Sequence, residues 1–307
     1  MKDVSAGAPG RCYRHDVDLV RWIDRPEGLR EPALVCAFRG WNDAGESAST
    51  AVAVMVGALG ARKVADIDGE EIFDYQTTRP TVSIASGVVE GIDWPDMEIF
   101  AARAERTPRD VVLVIGSEPS YRWRTFCGAL LDMAGDLGAT MIVTLGALLA
   151  DVPHTRPIRI GGLASPPELI AGRGLRAPTY QGPTGIVGVL HGLAAQRGIP
   201  AASVWASVPH YLGTLRSAPG ALALVRTVEG LTGVAVDATD LERAVKEYER
   251  QVNAVAERDQ GLQELISRLE READREESEA GPAGIPSADD LAKEIERFLR
   301  QRDEPGG

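Results

Sequence analysis

The chain has 307 residues, of which 44% are hydrophobic and 25% charged, with a formal net charge of −12. Such a length holds one large core domain with an accessory element, or two domains, at the composition of an ordinary globular protein. The acidic balance disfavours nucleic acid as a partner, and no stretch reaches the roughly 18 apolar residues of a membrane-spanning helix.

In chain order, residues 1–16 are polar and contain Gly and Pro, as in a disordered or loosely attached terminus. Residues 17–23 alternate weakly and suit an edge strand. Residues 33–38, Ala-Leu-Val-Cys-Ala-Phe, are continuously apolar, the pattern of a strand covered on both faces. A polar loop at 39–43 and a small-residue helix at 44–59 complete a strand–loop–helix unit. Another strand is expected at 62–67, followed by a mixed acidic stretch at 68–79. Residues 81–92 and 97–103 read as strands and are candidates for an antiparallel pair. A strongly apolar strand at 110–115 leads through a loop at 116–120 into a helix at 121–137. Further strands are expected at 139–145, 156–161 (an excursion) and 201–208, with helices at 166–171 and 184–197. This alternation predicts an α/β fold over residues 17–232, layered, with a mostly parallel sheet flanked by helices.

From about Gly233 the pattern changes to a helical extension, residues 233–302. Leu241, Val245, Tyr248, Val252, Val255, Leu262, Ile266 and Leu269 recur at spacings of three and four, broken only at Asp259. Gly261 is a point where the helix bends or splits. Residues 276–286 read as a Gly/Pro/acidic linker. Ser287 then caps a second amphipathic helix at 289–300, and 303–307 is a flexible tail. The stripe fits a hairpin packed on the sheet domain or an interface with another chain; both bury the same residues.

The three cysteines, Cys12, Cys36 and Cys127, are too sparse for a disulfide framework and form no C-x-x-C pair. Met1 to Arg14 contain no apolar segment, so the expected compartment is the cytoplasm. The P-loop, nucleophile-elbow and zinc-helix signatures are absent from the sequence. Gly172-Arg-Gly-Leu-Arg-Ala177 spells a dinucleotide fingerprint, but without a preceding strand it reads as a loop.

Polar segments do cluster after strands or at helix starts. If the strands are parallel, these segments share one rim, the place where α/β sheets bind ligands. Trp41, Asn42, Asp43, Glu118, Asp151, His154, Arg156, Thr184 and His210 then form a candidate ligand or partner rim. Its carboxylates, imidazoles and cation suit acid–base chemistry or anion binding. Each also has a structural reading: Asn and Asp after a strand cap the next helix, Pro-His pairs fix turns, and Trp41 covers the end of the core. Asp151 and His154 are a possible metal-ligand pair with no third ligand at matching spacing, so no metal is assigned.

Four segments taken together carry a resemblance: Phe38-Arg-Gly-Trp-Asn-Asp-Ala-Gly45, Gly146-Ala-Leu-Leu-Ala-Asp-Val-Pro-His-Thr-Arg-Pro157, Tyr180-Gln-Gly-Pro-Thr-Gly-Ile186 and Ser203-Val-Trp-Ala-Ser-Val-Pro-His-Tyr211. Their order and spacing resemble the proteasome assembly chaperone family, and within it the actinobacterial branch, over about residues 17–231. The resemblance implies a phosphorylase/hydrolase-like α/β domain and a family whose eukaryotic relatives assist proteasome ring assembly without acting as enzymes. It also implies a proteasome-related protein partner and a homo-oligomer with a trimer favoured; with the nucleotide and metal signatures absent, no cofactor is assigned. Some archaeal relatives end in a hydrophobic–Tyr–any docking motif; this chain ends Asp303-Glu-Pro-Gly-Gly307 and lacks it. Two readings follow: a non-catalytic interaction or assembly protein, or a small-ligand binder or enzyme using the rim.

Overall fold

The structure is a computed structural model and describes residues 19–104, 107–178 and 180–280. The expected loose terminus at 1–16, the helix at 289–300 and the tail at 303–307 lie outside the described residues. The strands are β1 (Val20–Trp22), β2 (Ala33–Arg39), β3 (Arg62–Ile67), β4 (Thr81–Ala85), β5 (Val88–Asp93), β6 (Met97–Ala102), β7 (Val111–Ser117), β8 (Met141–Ala150), β9 (Ile160–Ser165) and β10 (Ala201–Pro209). The helices are α1 (Ser47–Ala58), α2 (Trp123–Asp136), α3 (Ile186–Gln196), α4 (Ala218–Thr232), α5 (Thr239–Ala256) and α6 (Gln260–Ala280).

Eight strands form one sheet in the order β1-β3-β6-β7-β2-β8-β10-β9. The four central strands β7, β2, β8 and β10 are parallel neighbours. Antiparallel strands extend both flanks, yet β3, lying beyond β6, runs the same way as the centre. Most of the sheet therefore shares one direction, as the alternating sequence pattern predicts.

The period-2 geometry of a strand sends successive side chains to opposite faces. On β2, Ala33, Val35 and Ala37 enter one core, together with residues of α1 and α4. Leu34, Cys36 and Phe38 enter the other, with residues of α2 and α3. The result is three layers, helix on sheet on helix. Phe38 meets Phe126 of α2 edge-on, with ring centroids 5.8 Å apart, an arrangement worth about 0.5–1.5 kcal/mol beyond area burial. No helix among the described residues is long and apolar enough to cross a membrane.

Three sequence expectations need correction. Residues 81–92 and 97–103 are not an antiparallel pair: β4 and β5 pair with each other in a separate hairpin, and β6 joins the main sheet between β3 and β7. The register of the apolar β6 is set by burial, which the exposed hairpin cannot offer. Second, the excursion strand is displaced to β9, where it pairs antiparallel with β10 as an edge. Third, residues 276–280, read as linker, belong to α6. Helix α4 was not anticipated, because its Ala-Pro-Gly start resembles a loop. Ser217 caps it, its Oγ accepting from Gly220 N at 3.1 Å, and proline is tolerated in a first turn where its missing N–H has no partner to lose.

Removing the buried edge-to-face ring tests this core. Phe126→Ala is expected to lower unfolding free energy by about 3–5 kcal/mol, read as a shifted urea midpoint with an unchanged slope.

Candidate functional site

Because β2, β7, β8 and β10 are parallel, the loops that follow them emerge at one edge of the sheet. The hydrogen bonds of the rim residues at this carboxyl edge lie in two separate places, around Asn42, Asp43 and Glu118 and after β8 and β10, and the side chains of Trp41 and Thr184 join neither.

The first group joins β2, β7 and α3. Asn42 is fully buried, and its Nδ2 donates to Glu118 Oε1 at 2.7 Å. Ile186 N, in the first turn of α3, donates to the same oxygen at 2.8 Å. Glu118 therefore satisfies one of the free amides at that helix start, where a negative charge is favoured. Gly185 lies so close that a Cβ there would fall within the Asn42 amide. Asn42 O accepts from Ala147 N at 2.8 Å, which extends the contact to β8. Its Oδ1 is buried with no hydrogen-bond partner among the described residues. Thr184 is exposed beside Gly188 and joins no hydrogen bond in this group.

Asp43 serves α1. Its Oδ1 accepts from Ala48 N at 2.7 Å and its Oδ2 from Ser49 Oγ at 2.5 Å. Burial raises the Asp43 carboxyl above its ordinary value, while the bonds from Ser49 and Ala48 pull the other way. A 3-10 turn precedes α1, with Gly45 at φ +58° pressed against Ser217. Gly45 O accepts from Ser217 N at 2.7 Å, which joins the starts of α1 and α4.

The second group follows β8 and β10. Asp151 pairs with His210 Nδ1 at 3.0 Å. His154 Nε2 lies 2.9 Å from Asn253 Oδ1. Its Nδ1 lies 2.8 Å from the Tyr211 hydroxyl, and His154 N donates to the same hydroxyl oxygen at 2.9 Å. Arg156 forks onto Asp274 at 2.8 and 2.9 Å and also reaches Glu270 at 3.2 Å. Thr155 Oγ1 donates to Glu270 at 2.6 Å. Arg159 and Arg176 both hold Glu276. Three arginines of the sheet domain thus clasp α6.

The stripe residues are distributed accordingly. Leu241, Val252, Ile266 and Leu269 are buried, with Val245, Tyr248 and Leu262 half-buried. Val255 is 61% exposed, because the break at residues 257–259 turns the chain before α6. Asp259 Oδ1 accepts from Leu262 N at 3.0 Å and caps α6, so the break falls at Asp259 and Gly261 lies inside the new helix. Ala256 and Ala273 are buried beside the stripe.

The sequence reading missed Tyr211, Asn253, Glu270 and Asp274 as partners. The α6 acids lie more than 110 positions from Arg156, and no local pattern announces such a contact. Trp41, by contrast, is 69% exposed and covers no core. Tyr121 and Leu215, which follow β7 and β10, and Leu148 and Leu149, near the end of β8, are exposed too.

A cavity of about 280 Å³ lies elsewhere, lined by Arg21, Asp68, Glu70, Tyr75, Trp94 and Asp96. Among the described residues no group of three or more His, Cys, Asp or Glu is arranged to hold a metal ion. Cys36 and Cys127 are buried; burial drives the Cys36 thiol well above its ordinary range and lifts that of Cys127 to about 12, which suppresses the reactive thiolate.

The PAC2 family model matches residues 37–256. A proteasome-assembly chaperone homologue from Mycobacterium tuberculosis is 40% identical, with 76% of this chain and 99% of that chain covered at a TM-score of 0.71. A PAC2 family protein from Streptomyces avermitilis is 41% identical, with 76% and 99% covered and a TM-score of 0.70. An archaeal proteasome activator from Pyrococcus furiosus shares the fold at 19% identity, with 77% and 97% covered and a TM-score of 0.61. No curated protein matches the chain.

Two measurements test these groups. Gly185→Ala forces the Asn42 amide aside and is expected to cost about 1–3 kcal/mol, measured by denaturant unfolding. Hydrogen bonding to Arg156 holds the Asp274 carboxyl below its ordinary value. The depressed native value means that this contact stabilises the fold above the unfolded carboxyl's value and is lost as pH falls through the native one. Amide exchange in α6 is therefore expected to accelerate on acidification relative to β2. Arg156→Gln should abolish the pH dependence that comes from Asp274.

Proposed function

The chain belongs to the PAC2 family, and from that membership we propose that it is a non-catalytic protein–protein interaction or assembly factor. One contrast at the carboxyl edge carries the reading. The polar groups suited to catalysis are consumed by internal bonds: Glu118 and Asp43 at helix starts, His154 and Arg156 on α5 and α6. Large apolar side chains are left to solvent there, Trp41, Tyr121, Leu148, Leu149 and Leu215, among exposed polar ones such as Arg39, Asp151 and Arg216. Protein interfaces are centred on such aromatic and aliphatic anchors ringed by polar groups. The same reading makes the chain a cytoplasmic homo-oligomer, with a trimer favoured. Its partner is then a proteasome subunit, by likeness to the Mycobacterium homologue named for proteasome assembly.

The test mixes the purified full chain with actinobacterial proteasome α and β subunits before ring assembly. The expected outcome is co-sedimentation with incomplete assemblies and faster appearance of peptidase activity. Separate sedimentation with an unchanged assembly rate would refute the proposal. Trp41→Asp is expected to weaken binding by at least tenfold without lowering the melting temperature, since nothing in the core rests on that ring.

A further inference from the structure

The cavity of about 280 Å³ brings aromatic rings and carboxylates into one wall. Ile67, the last residue of β3, is opposite Met97, the first of β6. Residues 68–75 therefore leave the sheet where residues 94–96 return to it, and Arg21 reaches the same place from β1. The floor is fixed. A Cβ on Gly69 would fall 2.2 Å from Pro95 O and 3.1 Å from Tyr75 Oη, so the two segments are already in close contact. Strand β3 lies three strand spacings, roughly 14 Å, from β2. The cavity is thus separate from the surface around Trp41.

Tyr75 and Trp94 both line this space, with ring centroids 5.1 Å apart and planes at 60°. Rings at this angle leave an open wedge before their faces, and Trp94 is 55% exposed. The face of an indole is the best aromatic partner for a cation. Charge points the same way. Asp66, Asp68, Glu70, Asp96 and Glu98 gather here around two cations. Arg21 holds Asp66 at 3.0 Å and Asp68 at 2.9 Å. Lys63 Nζ holds Glu98 at 3.1 Å, with Asp96 at 3.5 Å and Asp66 at 3.8 Å. Glu70 is exposed and has no cationic partner among the described residues. Burial raises the Tyr75 hydroxyl above its ordinary value, and Glu70 and Asp68 add to the rise. Burial also raises the Asp96 carboxyl against the pull of Lys63. Holding residues 75 and 94 together accounts for the contact of the two rings, but not for the surplus acids set beside them.

We propose that this cavity binds an organic cation, an ammonium or guanidinium head that lies against Trp94 and Tyr75 and donates to Glu70 and Asp96. The volume is just under the roughly 300–1,000 Å³ of a small-molecule pocket, so it suits a group the size of one side chain. A metal ion fits less well. Among the described residues no group of three or more His, Cys, Asp or Glu is arranged to hold one, and aromatic rings offer a hard cation no oxygen ligands. An organic cation uses both halves of the wall, its stem covered by the rings and its N–H groups met by the acids. Two sources carry this chemistry, a free polyamine and a lysine or arginine side chain of a protein segment. The binding needs no proteasome subunit and stands apart from the function proposed for the surface around Trp41.

The experiment follows the indole N–H signals of the full chain, labelled with nitrogen-15 in its five tryptophans, with the Trp94 signal assigned by Trp94→Phe. The probes are spermidine, capped Gly-Lys-Gly and Gly-Arg-Gly peptides, and the lysine peptide acetylated on its side chain as the uncharged counterpart. A saturable shift confined to the Trp94 signal is expected from the cationic probes, with a Kd on the order of 1 mM. Glu70→Gln and Tyr75→Leu are each expected to weaken binding at least threefold. Thermal melts check both variants, and Glu70→Gln, at an exposed position, decides the matter if Tyr75→Leu does not fold. Tighter binding of spermidine assigns the site to a free polyamine, and tighter binding of a peptide assigns it to a protein side chain; either order supports the proposal. No saturable shift up to about 20 mM probe, an equal shift from the acetylated peptide, or a Glu70→Gln variant that binds like the wild type would each overturn it.

Discussion

Strand β2 is the constraint on which the rest of the molecule is arranged. It lies between β7 and β8, parallel to both, and Ala33 to Phe38 are fully buried. A strand enclosed in this way needs apolar residues on both faces and crossover connections to its neighbours, so helices must cover both sides of the sheet. The same parallel order sends the ends of β2, β7, β8 and β10 to one edge. Helix starts and strand ends then crowd together there, and orphan amides must be satisfied. Asp43 and Glu118 supply that need, which explains why carboxylates sit there without forming a catalytic pair.

The strands of the centre could be read from local pattern because burial on two faces leaves an unmistakable apolar run. The polar loops could be placed at one rim because parallel order follows from alternation of strands and helices. What those loops do was not readable. Asn42 and Glu118 are 76 positions apart, and a capping acid has the same letters as a general base. Strand pairing was ambiguous for the same reason. Residues 81–92 alternate as a half-buried strand would, and nothing local says that the covered half is missing. Helix α4 was obscured by a Pro-Gly start that suits a first turn as well as a loop.

The C-terminal extension illustrates how the two expected roles of an amphipathic stripe divide. Leu241 belongs to the same core as α1 and α4, and Ile266, Leu269 and Ala273 are covered along α6. Around them Arg156, Arg159 and Arg176 hold acids of α6. These ion pairs are largely exposed and contribute more to orientation than to stability. The arrangement leaves Val255 and the apolar part of the carboxyl edge as the uncovered surface at this end of the chain.

The order of strands in the sheet differs from their order in the chain, and this governs how the molecule can be built during synthesis. Both neighbours of β2 are made long after it: β7 begins 72 residues beyond the end of β2, and β8 later still. Chains emerge from the ribosome N-terminus first, at about 5–20 residues per second. For several seconds, therefore, the strand at the centre of the sheet has no hydrogen-bonding mate, and the final position of α6 cannot be taken up until nearly everything else exists. A nascent chain of this protein exposes an apolar central strand early and shelters it late.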